Sequence, residues 1–442
     1  MRAGIALLIA FTWALPARGD EVAEKYDALY DAIMVRDTSF YPGYTDDPVA
    51  PLVWKSSRFL IEGESRDRFA EAIDGFVSLS DEELARLTDF KRAIMQRHLW
   101  AVFDIPFDRG SNPSGAESEQ EKENQLDLQR KIAVLLKRLA LPESRIAALP
   151  DPVAATSAEK IYPVVPTSED PFLPFFPAEL SETNGPWVCV SRLYHLLSAD
   201  MHSEDRQWRS VFHIFIKLPG GLKETLQYLK ELGEFKSHWI TEAPDKRMQM
   251  LTMTVQKTLE RVDVYVNPET PQFPTGTQFA LVERALLISD SGKVVTSPLI
   301  NGVQLRAYLR MDTEYDPDRP HQALAEFVMQ PRAMMDGTLA LRAIETDEKN
   351  FRSLVVSSDP FEKNRAAKQG RGARLRTCMT CHSGWGIHSV LSRSQLFGPK
   401  TLEPPTFTEG DIESDVYHTV RFKNQDYSWG FLQGLWQAQD AP

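Results

Sequence analysis

The sequence predicts an α+β protein with a helical N-terminal region, a mostly antiparallel sheet domain in the middle and a short helical segment at the C-terminal end. Three observations predict this arrangement. Apolar residues recur at helical spacing between residues 20 and 150, apolar and polar residues alternate from residue 248 onward, and prolines are dense between these regions. The 442 residues exceed one ordinary core, and 42% hydrophobic with 25% charged residues is typical of folded, water-soluble proteins.

Residues 1–19 have the pattern of a secretory signal peptide. A cationic start precedes an apolar run of about 13 residues, and the small residues Ala17 and Gly19 precede a cleavage site before Asp20. An uncleaved membrane anchor is the alternative, but the run is shorter than the ~18 residues that a membrane helix needs. The sequence therefore predicts an exported, soluble protein, periplasmic or otherwise outside the cytoplasm, with no stable membrane insertion after cleavage.

The charge of the chain argues against nucleic acid as a partner. Removing Arg2 and Arg18 with the signal peptide from the 50 basic residues leaves 48 against 62 acidic residues, a formal charge of −14. Such a surface repels nucleic acid and anionic lipid. Export favours disulfides, but three cysteines over this length do not make a disulfide framework.

Residues 20–150 are predicted to be a helical region. Ser80 and Glu83 form a capping box before a run in which apolar residues recur at helical spacing up to Trp100. A second helix is expected at 125–140, beyond a polar loop. His98 lies in the first of these helices and is interpreted as a packed or surface histidine rather than a ligand.

Residues 151–176 carry prolines too densely for a helix interior or a central strand, so they are interpreted as an extended linker and a domain boundary. The domain that follows, residues 177–350, is predicted to be the sheet domain. Its expected elements are a helix at 222–232, a hairpin turn at 290–293, and strands at 211–217, 250–256, 261–267, 279–289, 293–296, 303–309 and 324–330. Gly220 and Gly221 precede the helix and are interpreted as a tight turn, with an anion cradle as the alternative.

A short cysteine and histidine motif carries the functional signal. Residues 374–389 read R-L-R-T-C-M-T-C-H-S-G-W-G-I-H-S and contain two of the three cysteines in the chain. In C-x-x-C-H, two thiols three residues apart can each add to a vinyl group of haem, while the adjacent histidine points a nitrogen at the iron. Cys378, Cys381 and His382 occupy these three positions.

The motif resembles the attachment site of c-type cytochromes. The resemblance is specific across Cys378 to His382 and extends at most over residues 351–442, which it identifies as a cytochrome c-like haem segment. It implies one covalently bound haem c, His382 as the iron ligand, and exchange of electrons with a redox partner protein. Export is consistent with this, because c-type haem is attached in the exported compartment.

Three other interpretations of the motif stay open. A zinc site would need a fourth ligand and usually a more widely spaced histidine, and only His388 lies nearby. A redox-active C-x-x-C would be expected to open a helix in a thioredoxin-like β-α-β context, which this end of the chain does not show. The third alternative is a small structural disulfide.

The second axial ligand of the iron is not evident from the sequence, because no methionine follows Met379. If a helix continues past His382, His388 lies about 120° around it, on the same side of the haem. His418 could fold back over the haem, but a surface histidine on a short strand is the preferred interpretation. An upstream ligand or an empty sixth position is also open, and the upstream methionines considered are Met329, Met334 and Met335.

Residues around the motif each have a functional and a purely structural interpretation. Gly384 and Gly386 would let backbone approach a flat macrocycle beside Trp385, or they could form a turn. A basic run precedes the motif, and it could pair with haem propionates, dock an acidic redox partner, or be a solvated helix face. This run consists of Lys363, Arg365, Lys368, Arg371, Arg374 and Arg376.

The third cysteine, Cys189, is interpreted as a buried and inert thiol. His195 is six residues away, but nothing near Cys189 in the sequence indicates a catalytic cysteine and histidine pair.

Two classes of function follow from the sequence. The first is an electron-transfer protein in which the haem segment exchanges electrons and the upstream regions position it or bind its partner. The second is a haem enzyme, peroxidase-like or oxidase-like, with an open iron site facing a pocket of the sheet domain. A single haem motif argues against the di-haem peroxidases, and electron transfer is the preferred prediction.

Overall fold

The structure, a computed structural model, has the predicted α+β architecture, with helices towards both ends of the chain and an antiparallel sheet in the middle. It describes residues 20–34, 64–107, 118–166, 170–182, 184–190, 208–235, 238–242, 251–254, 261–311, 321–346, 375, 386–390 and 412–439.

The helices are, in chain order, α1 (Glu21–Met34), α2 (Glu64–Val77), α3 (Asp81–Leu84), α4 (Asp89–Asp104), α5 (Glu119–Leu139), α6 (Glu143–Ala147), α7 (Pro152–Glu159), α8 (Leu222–Glu234), α9 (Pro331–Met335), α10 (Ile412–Gln425) and α11 (Tyr427–Ala438). The strands are β1 (Val188–Cys189), β2 (Ser210–Lys217), β3 (Trp239–Ile240), β4 (Leu251–Thr254), β5 (Arg261–Val266), β6 (Gln278–Ile288), β7 (Val294–Tyr308), β8 (Gln322–Val328) and β9 (Arg342–Ala343). None of the described helices is long and apolar enough to cross a membrane.

The predicted capping box is present, but the helix that it starts is short. Ser80 accepts a hydrogen bond from the Glu83 backbone, and the Glu83 carboxylate accepts one from Ser80. The sequence predicted one helix from here to Trp100. The chain instead leaves the helix after Leu84 and starts α4, because Thr88 accepts a hydrogen bond from the Lys91 backbone at 3.3 Å and caps a new helix.

The prediction of an extended chain over residues 151–176 was wrong for its first part, which forms α7. Asp151 caps this helix by accepting hydrogen bonds from the backbones of Val153 and Ala154. Pro152 occupies the first turn, where its missing N–H costs nothing. Thr156 then fastens the helix to the sheet region, since its hydroxyl accepts a hydrogen bond from the Leu341 backbone at 2.8 Å.

The main sheet has the strand order β1-β2-β6-β7-β8-β9, and each neighbouring pair is antiparallel. A second sheet has the order β3-β5-β4. The hairpin between β6 and β7 turns where predicted: Gly292 adopts a φ of 73° and donates a backbone hydrogen bond to Ser289. The positive φ is the reason that glycine suits this position.

The two predicted strands at 293–296 and 303–309 are parts of one strand, β7. Pro298 interrupts the sequence pattern between them, since proline cannot donate to a sheet. The pairing with β6 is irregular around Arg284 and Leu286, opposite this proline, and the strand continues through it.

The two faces of the main sheet differ in what covers them. One face, which we call the helix-covered face, belongs to the main core that the sheet shares with α1, α2, α4 and α5. Val211, Val282 and Phe327 are among its residues. The other, which we call the opposite face, contributes Ile216 and Tyr308 to a smaller core with α8. One apolar cluster thus joins helices and sheet across the predicted linker.

The C-terminal helices pack back on the rest of the protein. Helix α10 contacts β2, and α11 contacts α5. The Lys423 side chain is fully buried, and its ammonium group donates hydrogen bonds to Asp104 at 2.9 Å and Ser428 at 3.1 Å. Arg209 binds the same Asp104 oxygen at 2.7 Å, so this buried network joins α4, the start of β2 and α10.

Candidate functional site

The motif residues Cys378, Cys381 and His382 lie outside the described residues, together with Gly384, Trp385 and the whole basic run. The structure does describe the two ends of the segment that contains the motif. Leu375 stands three residues before Cys378, and a helical segment at 386–390 begins four residues after His382.

The upstream end is anchored by an apolar contact. Leu375 is buried and forms a small cluster with Val328, at the end of β8, and Ile344, just after β9. Phe172 packs against this cluster. The chain that enters the motif is therefore held at the β8–β9 edge of the main sheet.

The downstream end is anchored by both apolar and polar contacts. Ile387 is fully buried in the smaller core, where Tyr308 also lies. The Ile387 backbone donates a hydrogen bond to Gln272 Oε1 at 2.9 Å. Ser389 and Tyr308 share a hydrogen bond of 2.7 Å between their hydroxyl groups.

Gly386 is required by this downstream anchor. Its φ is 49°, and a Cβ atom at this position would stand 2.2 Å from Gln272 Oε1 and 2.7 Å from Met311 Cε. The close approach of backbone to Gln272 and Met311 supports the turn interpretation for this glycine.

Both anchors lie on the opposite face of the sheet, on neighbouring strands. Tyr308 pairs with Gln322, and Val328 is six residues further along β8, so the anchors are about 20 Å apart at ~3.3 Å per residue. The chain between Leu375 and Gly386 can span this distance, because an extended chain covers up to ~3.5 Å per residue. The motif segment is thus fastened at both ends to one surface.

The surface between the anchors offers polar and cationic groups. Gln304 and Arg306 lie on this side of β7 by strand alternation, and Gln304 donates a hydrogen bond to Glu326 of β8 at 3.4 Å. An arginine here is suited to a haem propionate, because its guanidinium group can donate two parallel hydrogen bonds to one carboxylate. The described surface thus offers a cation for a propionate, while the thiols and the imidazole of the motif lie outside the described residues.

The upstream methionines that the sequence suggested as iron ligands lie on the other side of the sheet from the surface between the anchors. Met329, Met334 and Met335 all pack in or against the main core, on the helix-covered face. Met311 instead packs against the smaller core and contacts the position of Gly386. Met311 was not among the methionines that the sequence suggested.

The two downstream histidines have different surroundings. His388 lies in the helical segment at 386–390, and burial lowers its pKa to about 4. His418 was expected on a short strand, and this was wrong: it is half-buried on α10. Because α10 contacts β2 through His213 on the helix-covered face, the sheet separates His418 from both anchors of the motif.

Other sequence interpretations have clear outcomes. His98 is fully buried and packs its ring edge-on against Tyr30, as expected for a packed histidine. Gly220 and Gly221 form a turn in which the Glu224 carboxylate of α8 accepts the Gly220 backbone hydrogen bond at 2.5 Å. The chain's own carboxylate therefore occupies the position where an anion would bind.

Cys189 is less buried than the sequence suggested. It is half-buried on β1, and its Sγ lies 3.9 Å from Asp415 Oδ2 of α10. His213 of β2 is 3.1 Å from the same oxygen through Nδ1. His195, the histidine near Cys189 in sequence, lies outside the described residues.

A groove of about 780 Å³ runs beside α10 and the first residues of β7, Val294–Thr296. Tyr308, which contacts Ser389 beyond the motif, is the last residue of that strand. Among the described residues, this groove does not adjoin either anchor of the motif.

Comparisons with known proteins find no match to a protein family, a curated protein or a solved structure.

Proposed function

We propose that the protein is an exported mono-haem c-type cytochrome that transfers electrons through one covalently bound haem. The C-x-x-C-H motif at Cys378, Cys381 and His382 carries this proposal. The anchors at Leu375 and Ile387 support it, because they hold the two ends of the segment that contains the motif against one surface of the sheet.

Each motif residue has one role in this proposal. The Cys378 and Cys381 thiols form thioether bonds that keep the haem on the chain, and His382 supplies an imidazole nitrogen to the iron. The haem, when bound, supplies reversible one-electron chemistry. Arg306, on the surface between the anchors, could neutralise a propionate, and the neutral His388 side chain packs beyond the motif without adding charge.

We keep electron transfer as the preferred function; within the described residues the groove beside α10 does not adjoin the anchors of the motif, so this groove lends no support to a substrate pocket that faces the iron. A partner for electron exchange is expected to present acidic groups, since the run of six basic residues before the motif contrasts with an acidic chain.

We place this exchange outside the cytoplasm, after cleavage of the signal peptide before Asp20. N-terminal sequencing of the mature protein would test this cleavage site.

The spectrum of the reduced protein with carbon monoxide tests electron transfer against catalysis. A filled sixth position keeps the iron low-spin and excludes small ligands, whereas an open position admits them. We expect the reduced holoprotein to be low-spin and to bind carbon monoxide slowly or not at all. Rapid binding would contradict electron transfer and favour the haem enzyme.

A further inference from the structure

Cys189, His213 and Asp415 bring three metal-ligating side chains together from β1, β2 and α10. Asp415 Oδ2 is 3.1 Å from His213 Nδ1 and 3.9 Å from Cys189 Sγ, and the three ligand atoms lie within 4.8 Å of one another. His213 and Asp415 are almost completely buried, with side-chain exposures of 1% and 3%. Residues so distant in the chain meet only in the folded protein.

The arrangement is not that of a nucleophilic cysteine with a histidine base. In such a site the carboxylate binds one ring nitrogen, and the thiol binds the other. Asp415 is on Nδ1 here, but His213 Nε2 has no hydrogen-bond partner within the part of the chain that the structure describes. The thiol lies instead beside the carboxylate, so the sulfur, the oxygen and Nδ1 are grouped around one point.

We propose that Cys189, His213 and Asp415 bind a divalent cation of the zinc class. With ligand bonds of ~2.0–2.3 Å, a tetrahedral zinc ion separates its nitrogen and oxygen ligands by about 3.3 Å and its sulfur and oxygen ligands by about 3.5 Å. The two distances from Asp415 Oδ2 are 3.1 and 3.9 Å, within ~0.2–0.4 Å of these values, and the third pair, Cys189 Sγ and His213 Nδ1, lies within 4.8 Å and closes towards about 3.6 Å when the ion binds.

The donor set selects this class of ion. Thiolate and imidazole ligands favour zinc over magnesium or calcium, which take oxygen ligands. The Cys189 thiolate and the Asp415 carboxylate together balance the two positive charges of the ion, and binding releases the thiol proton to solvent. Three protein ligands leave a fourth position for water.

The ion would tie the β1–β2 edge of the main sheet to helix α10. That helix also carries Lys423, so the C-terminal helices would be held to the rest of the protein at two points. The inference does not depend on the haem, because Cys189 is the cysteine that the haem motif does not use.

Zinc binding by the purified full-length holoprotein tests the proposal. Equilibrium dialysis against Zn²⁺, with zinc and iron counted separately, should give one zinc per chain, and the zinc absorption edge should show one sulfur neighbour at ~2.3 Å. Cys189→Ser should lose this sulfur neighbour and bind zinc at least ~10-fold more weakly. His418→Ala, on the same helix but outside the cluster, should match the wild type.

Less than one zinc per chain, zinc without a sulfur neighbour, or unchanged affinity in Cys189→Ser would overturn the proposal. The variant Cys378→Ser/Cys381→Ser leaves Cys189 as the sole thiol. A zinc–sulfur signal in this variant supports the metal site even if the wild type carries no covalent haem, so the two proposals fail separately.

Discussion

Replacing Lys423 with methionine should destabilise the protein strongly, because it removes the cation from a buried network. The Lys423 side chain is fully buried, its ammonium group is 2.9 Å from Asp104 Oδ2, and it lies 5.3 Å from the centre of the Trp100 ring. Methionine fills a similar volume but cannot donate a hydrogen bond. The Asp104 carboxylate, whose side chain is only 1% exposed, therefore loses one hydrogen-bond partner.

The magnitude follows from how much of the network survives. Removing one partner of a buried ion pair costs about 3–5 kcal/mol. Asp104 keeps Arg209, which binds the same oxygen at 2.7 Å, so the lower end of the range, about 3 kcal/mol, is expected. The matched control is Lys122→Met, which removes an ion pair with Glu119 whose side chains are 54% and 91% exposed. It should change stability by no more than about 0.5 kcal/mol.

Urea unfolding at neutral pH measures both variants. The midpoint for Lys423→Met should fall, with an unchanged slope, by far more than that for Lys122→Met. Equal effects in the two variants would refute the buried network and with it the docking of α10 against α4.

Three further predictions concern the surroundings of the motif. Ser389→Ala should lower the free energy of unfolding by about 1–3 kcal/mol, because it leaves the buried Tyr308 hydroxyl without this hydrogen bond; a change below ~0.5 kcal/mol in urea would contradict the downstream anchor. Burial lowers the pKa of His388 to about 4, below the ~6.5 of an unfolded chain, so its contribution to stability is lost as pH falls from ~6.5 to ~4. His388→Gln should therefore weaken the pH dependence of the urea midpoint in this window, and an unchanged dependence would count against it. If a methionine supplies the sixth iron ligand, Met311→Leu should convert the low-spin spectrum to a high-spin form that binds carbon monoxide, whereas Met335→Leu, in the main core, should not; a low-spin Met311→Leu protein would exclude Met311.

Local chemistry in the sequence predicted much of the fold. The short apolar run around Phe212 identified β2, the alternation around Val282 identified β6, and the capping box at Ser80 marked a real helix start. The errors came where tertiary contacts override local signals. Pro298 is accommodated by an irregular pairing, and Asp151 caps a helix within the proline-rich stretch.

The two candidate sites differ in how far the sequence could reveal them. Cys378, Cys381 and His382 lie within five consecutive positions, so the sequence alone suggests their chemistry. Cys189 and Asp415 are separated by 226 positions, and no spacing rule connects them. Only the pairing of β1 with β2 and the docking of α10 bring them together.

Covalent attachment of haem tests the central proposal most directly. The protein is expressed together with haem-attachment machinery, extracted with acid and acetone, and weighed intact by mass spectrometry. The proposal predicts that the haem stays with the polypeptide, whose mass exceeds that of the processed sequence by one haem. Cys378→Ala/Cys381→Ala should lose this added mass, while Cys189→Ala should keep it. Transfer of all haem to the organic phase, with a polypeptide of unmodified mass, would contradict the account.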